Sequence, residues 1–298
     1  MANVISGVGY LPKEVVREMF NSVKGHSAIA KLKDEDAIPF TGATEFVFGM
    51  DKGVDVVAEN GAKSNGGGTA TAITITPVKI EYGMRVSDEF MKGSEEYQLD
   101  VTQRFIEGFG RQAAKGLDIM AMHGINPRTG TASAVIGDNN LDAKIPNANV
   151  VLYNSSTPDV NLDTATAAVE GVNGIALAPA FASAMGSLKA AGVPQFPEYR
   201  FGSNPETFYG MKSDVNSTVA VGDDDMAIVG DWDAFRWGYA QDIELKVIEW
   251  GNPDNDAVAG DLAGHNQVYL RCEAYIGWGI LDPAAFARVT VTGPESES

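Results

Sequence analysis

The alternation of apolar and polar positions divides this chain into a few long elements joined by turn-rich stretches. Leu11–Phe20 reads as a helix with Pro12 near its start, and Val15, Val16, Met19 and Phe20 form one apolar stripe. Met1–Tyr10 before it is glycine-rich and reads as an extended arm. Ala37–Phe40 suggests a short strand, as do Phe46–Phe48 and Val54–Ala58. Thr69–Thr76 alternates with period two, and beyond Pro77 the alternation resumes at Val78, Ile80, Tyr82, Met84 and Val86. Between these stretches, Gly61–Gly68 has no packing side chain, so the segment predicts a hairpin with a bare tip. Arms of roughly 15 residues would reach on the order of 50 Å, against a radius of gyration of ~19 Å for a compact chain of this length. A hairpin so thin in large apolar residues near its tip has little reason to fold back on its own body, and it reads as a projecting arm.

Ser94–Met122 is the strongest helix. Val101, Phe105, Phe109, Ala113, Leu117 and Met120 follow at spacings of four and three, with Ser94 placed to cap the start and Gly124 and Pro127 the end. Beyond it, Asp163–Gly171 and Pro179–Ala190 predict short helices, and Gly174–Leu177 and Val219–Val221 short strands. The last part is strand-dominated: Met226–Val229, Glu244–Trp250, Gln267–Ile280 and Phe286–Val291, with a polar loop over Gly251–Asn266. No repeat recurs at a fixed period.

Charge narrows the function. Twenty-two basic against forty acidic side chains give a formal −18 over 298 residues, and the part beyond residue 150 carries seven against twenty-one. A chain this acidic does not grip a phosphate backbone by counterion release, so a dedicated nucleic-acid binder is not expected. The single cysteine, Cys272, excludes a disulfide framework and reads as a buried strand residue. No apolar run is long enough to span a membrane, and the N-terminus lacks a signal-peptide pattern.

Catalytic patterns are missing. His26, His123 and His265 lie far apart with no zinc-protease spacing, and His123 reads as a favourable charge at the C-terminal end of the long helix. Gly66–Gly68 lacks the lysine of a phosphate loop, and there is no GxSxG elbow. Asp223–Asp225 and Asp254, Asp256 and Asp261 read as solvated acidic loops. Trp232, Trp237, Trp250 and Trp278 read as core. No catalytic residue, cofactor or metal site is expected.

Read in order, the layout resembles the major capsid protein of tailed bacteriophages, the Hong Kong 97-type fold. Leu11–Val16 is similar to the start of that family's first helix, Val57–Ser64 to a stretch of its extended loop, and Ile75–Ile80 to the returning strand. Val86–Phe90 with the long helix ending at Asp118–Gly124 resembles its spine helix. Phe208–Met211, Ala227–Trp232, Val268–Trp278 and Asp282–Phe286 resemble its late motifs.

The resemblance implies an α+β fold with an N-terminal arm and first helix (1–36), an extended hairpin loop with flanking strands (37–87), a peripheral domain (88–124 and 226–281), an axial domain (125–225 and 282–292) and a loose tail (293–298). It implies a structural, non-enzymatic protein that assembles with itself, as hexamers and pentamers, into an icosahedral head enclosing double-stranded DNA. Its place would be the virion, after assembly in the host cytoplasm. Portal and maturation or decoration proteins would be further partners. Because Met1 lies almost at the arm, scaffolding is expected from a separate protein. Gly61, Lys63, Asn65, Gly66, Gly67 and Gly68 are the candidate inter-subunit contacts. Some relatives form Lys–Asn crosslinks; Lys63 stands where such a lysine would, and a solvent-facing tip lysine is the simpler reading. Two rivals are a nanocompartment shell of encapsulin type, with the same fold and an enzyme cargo, and a soluble enzyme with a distributed active site.

Overall fold

The computed structural model describes residues 26–222 and 224–292. The expected arm, the Leu11–Phe20 helix, Asp223 and the tail lie outside the described residues. Helix α1 (Ala28–Leu32) leads to the strands β1 (Ala43–Met50), β2 (Gly68–Ile75) and β3 (Val78–Ser87), then to the long helix α2 (Glu95–His123). Next come β4 (Val150–Leu152), α3 (Pro158–Ala167), β5 (Gly174–Leu177), α4 (Pro179–Ser187), β6 (Thr207–Phe208) and β7 (Met211–Val215). The chain ends with β8 (Asp225–Gly230), β9 (Phe235–Ile248), β10 (Gln267–Ile280) and β11 (Phe286–Thr290).

Helix α2 forms where its stripe places it. The Ser94 hydroxyl accepts from Tyr97 N–H, and Gly124 closes the helix in the left-handed region at φ 67° with its N–H on Met120 O. Phe105, Phe109, Ala113, Leu117 and Met120 are buried, Val101 half-buried, and Ile106, Ala114 and Ala121 add a second buried row. This face packs on an antiparallel sheet in the order β9-β10-β3, where Phe105 meets Tyr82 with ring centroids 6.1 Å apart. A mixed six-stranded sheet, β6-β7-β5-β8-β11-β4, forms the other half of the body, with α3 and α4 against it. One continuous hydrophobic core runs through both halves. Among the described residues no helix is long and apolar enough to cross a membrane.

Several expectations change. Ala37–Phe40 is not a strand: Asp36 N–H reaches Trp237 O at 2.8 Å, Pro39 has no N–H to continue a ladder, and a turn closes from Gly42 N–H to Pro39 O. Val54–Ala58 stays irregular because the chain facing it is the side-chain-poor tip, so pairing ends at Met50 opposite Gly68. Val219 and Ala220 end a 3-10 turn, Ser217–Ala220, and Val221 follows it, so no strand forms there. The helix expected at Asp163–Gly171 starts earlier, with Pro158 in its first turn, and the one expected to reach Ala190 stops at Ser187. The Glu244–Trp250 strand is the end of the longer β9, and Trp250, just beyond its last residue, is 73% exposed instead of core. Strand β8 pairs with β5 and β11, not with β9 or β10, so the segment 226–230 belongs with the six-stranded sheet rather than with the long helix's sheet.

Candidate assembly surface

Most residues of the β1–β2 hairpin are exposed. Its register runs from Ala43 opposite Ile75 to Met50 opposite Gly68, so opposed residues share a face. One face carries Val47, Ile73 and Ile75, and its base is anchored. Ile75 is fully buried, and a Cβ on Gly279 would lie 2.7 Å from the Ile75 side chain, so glycine is what lets the two strands close. Glu45 pairs with Arg236, which also holds Asp36 at 3.3 Å.

The opposite face carries Phe46, Phe48 and Met50, exposed at 74%, 65% and 79%, across from Ala72, Ala70 and Gly68. Phe48 lies over Gly68, where a Cβ would come within 2.5 Å of its ring. Every-second spacing of large apolar residues is the signature of a strand with one covered face. Nothing among the described residues covers it. Val54 and Val56 stand fully in solvent in the following loop, so the arm is richer in apolar surface than the sequence reading allowed. The signal was present in the Phe46–Phe48–Met50 alternation.

The tip holds itself in shape by polar contacts. Gly67 N–H donates to Asp51 Oδ1 at 2.7 Å, Lys52 Nζ donates to Asn65 O at 3.1 Å, and Gly61 N–H to Ala58 O at 2.8 Å. Gly61, Lys63, Asn65, Gly66, Gly67 and Gly68 are all exposed. A second exposed pair lies around the edge strand of the six-stranded sheet: Phe201 and Tyr209, 95% and 83% exposed, each in the left-handed region and each followed by a glycine that is also left-handed.

The acidic loops are engaged with their own surroundings. Asp254 holds Arg85 at 2.5 Å, and that hydrogen bond lowers its carboxyl to about 2. Asp256 accepts from Val258 and Ala259 N–H, and Asp261 from Gly251 and Ala263. Asp224 meets Thr292, whereas Asp225 is buried. Burial drives the Cys272 thiol up to about 12, which makes it inert. Among the described residues one group has the makings of an ion site: His123, Asp142 and Asp225. His123 sits in the last turn of α2, but its ring reaches out of the helix to Asp142 and to Thr218 O.

An arm whose apolar face no described residue covers is what an assembling subunit would present. The phage capsid family model matches residues 7–291, and the chain belongs to that family. A structure from Mycobacterium phage Ogopogo is 29% identical, with a TM-score of 0.73, covering 89% of this chain and 92% of that one. One from Gordonia phage Cozz is 23% identical with a TM-score of 0.72, covering 90% and 87%. The capsid of a native GTA particle shares the fold at 14% identity and a TM-score of 0.64, covering 88% and 89%. No curated protein matches the sequence. The protein is a structural capsid subunit of the Hong Kong 97 type, located in the virion and self-assembling, and it is not an enzyme. Nothing favours the nanocompartment or the enzyme.

Proposed function

We propose that this subunit builds an icosahedral head of hexamers and pentamers by laying its hairpin across a neighbouring copy, with Phe46, Phe48 and Met50 covered there. The observation that carries this reading is an apolar face that no described residue covers, on an element whose base is anchored in the body. Burying three such side chains gains about 1.5–3 kcal/mol each, and every subunit repeats the contact. Gly61, Lys63, Asn65 and Gly66–Gly68 form the tip that meets the neighbour, and Lys63 acts there as a solvated tip lysine.

The long helix with β9 and β10 is the peripheral domain, 88–124 and 231–281, and β3 of the hairpin segment pairs along its sheet. The six-stranded sheet is the axial domain, 125–230 and 282–292, with Phe201 and Tyr209 at its contact edge. The shell encloses double-stranded DNA by confinement rather than affinity, which suits a subunit of net −18. Assembly in the host cytoplasm uses a separate scaffolding protein and a portal, with maturation or decoration proteins acting later. Co-expression of the chain with its neighbouring reading frames, followed by electron microscopy and nucleic-acid analysis of the particles, tests this. DNA-filled closed heads are expected; enzyme-filled shells without DNA would overturn the reading.

A further inference from the structure

The geometry points to a divalent transition-metal site, of the zinc class, formed by His123 Nδ1, Asp142 Oδ2 and Asp225 Oδ2. The three residues come from the end of α2, from the one-turn helix Leu141–Lys144 and from β8. Their ligand atoms lie within 4.8 Å of one another, and the side chains of His123 and Asp225 are only 2% and 1% exposed.

Four features converge on this point. First, His123 Nε2 lies 2.9 Å from the Thr218 carbonyl. A carbonyl only accepts, so Nε2 carries the proton and donates it. In the neutral ring this leaves the Nδ1 lone pair free to act as a ligand, and a backbone carbonyl on the far nitrogen is a usual partner of a metal-bound histidine. Second, Nδ1 lies 2.8 Å from Asp142 Oδ2 and 3.9 Å from Asp225 Oδ2. With the lone pair on Nδ1, a proton or a metal ion has to stand between it and these carboxylate oxygens.

Third, Arg288 approaches from the other side. Its guanidinium reaches Asp225 Oδ1 at 3.3 Å and Asp142 Oδ1 at 3.4 Å. It therefore holds the two carboxylates side by side and leaves both Oδ2 atoms directed at Nδ1. Fourth, Asp225 Oδ2 is buried and, as a carboxylate oxygen, has no hydrogen-bond donor, so it needs either a proton shared with Asp142 or a cation.

A proton on Asp225, whose carboxyl is pushed up to about 9 by burial first and by Asp142 second, also satisfies the carboxylate pair, and a divalent ion would displace it. Three bonds of about 2.0–2.2 Å in tetrahedral array put the ligand atoms roughly 3.3 Å apart. That lies between the two separations from Nδ1, so small side-chain rotations suffice. A fourth position is left for water or for the second oxygen of a carboxylate. Imidazole with two carboxylates selects zinc and its first-row neighbours over calcium or magnesium, which prefer all-oxygen shells. Bound there, the ion would tie the end of the long helix to the middle of the six-stranded sheet.

The test uses the untagged full-length chain, stripped with a chelator and loaded with zinc in a large excess of magnesium that occupies surface carboxylates. After desalting, mass spectrometry counts zinc per subunit for the wild type, Asp225→Asn, Asp142→Asn and His123→Gln. The wild type is expected to retain one zinc per subunit, to release protons as it binds, and to melt several degrees higher. Each variant should bind at least about 100-fold more weakly. X-ray absorption of the loaded wild type should show an oxygen and nitrogen shell with one imidazole, a readout that stands even where a variant misfolds. Equal zinc in wild type and variants, no zinc in the wild type, or a bound shell without imidazole would overturn the assignment and leave a cluster that holds only protons.

Discussion

The Ser27 hydroxyl donates to Asp118 Oδ1 at 2.5 Å, joining the start of α1 to the C-terminal part of α2. Asp118 is fully buried and also accepts from Ala28 N–H at 2.8 Å, Ile29 N–H at 3.1 Å and Thr218 Oγ1 at 2.7 Å. One side chain therefore satisfies the open N–H groups of α1 and ties the long helix to the turn before β8.

Asp118 makes stability depend on pH. Burial lifts its carboxyl to about 6, against the four hydrogen bonds that pull it down. The folded state then holds a proton that the unfolded chain, with an ordinary carboxyl near ~3.9, has already released. This contribution to stability is complete below about pH 4 and is lost as the pH rises through 6. Melting curves from pH 4.5 to 8 should show the wild type losing roughly 2 kcal/mol relative to Asp118→Asn, which has no such proton. Parallel curves for the two proteins would contradict this.

Phe109 is 4% exposed on the buried face of α2. Phe109→Asp would bury an unpaired carboxylate, at a cost of several kcal/mol against a total stability of about 5–15. The variant should be insoluble or lack a cooperative melt by circular dichroism. A soluble, normally melting protein would show that the stripe is not core.

Subunits of net −18 repel one another. Raising monovalent salt to 0.1 M shortens the Debye length to ~10 Å, so assembly followed by light scattering should speed up from low to moderate salt. Fastest assembly at the lowest salt would mean that attractive charge pairs dominate the contacts.

Phe46 and Phe48 touch little of their own chain, so Phe46→Ser with Phe48→Ser should change subunit stability by no more than about 0.5 kcal/mol per site. The same double variant should fail to sediment as shells. A large loss in melting temperature, or normal particles, would count against the hairpin as an assembly surface.

The legible parts of this fold are those written in local spacing. The stripe on α2, its Ser94 and Gly124 caps, the phase shift at Pro77 and the run of β10 from Gln267 to Ile280 all follow from residues near one another in sequence. What stayed hidden depends on distant segments meeting. Asp118 interrupts an apolar run and looks like a surface residue until Ser27 and Thr218 arrive. His123, Asp142, Asp225 and Arg288 sit in four separate elements, and no spacing rule connects them. Residue type says nothing of where a pleated strand ends, which is why Trp250 reads as core and yet lies exposed past Ile248. The assignment of β8 to its sheet depended on strand order, which hydrophobic alternation does not encode.

The most direct test of the assembly account is a cryo-electron microscopy reconstruction of the assembled particle at side-chain resolution. The account predicts a neighbouring subunit packed over Phe46, Phe48 and Met50, with the Gly61–Gly68 tip on that neighbour's surface. A shell in which this face stands in solvent, or folds against its own subunit, would contradict it.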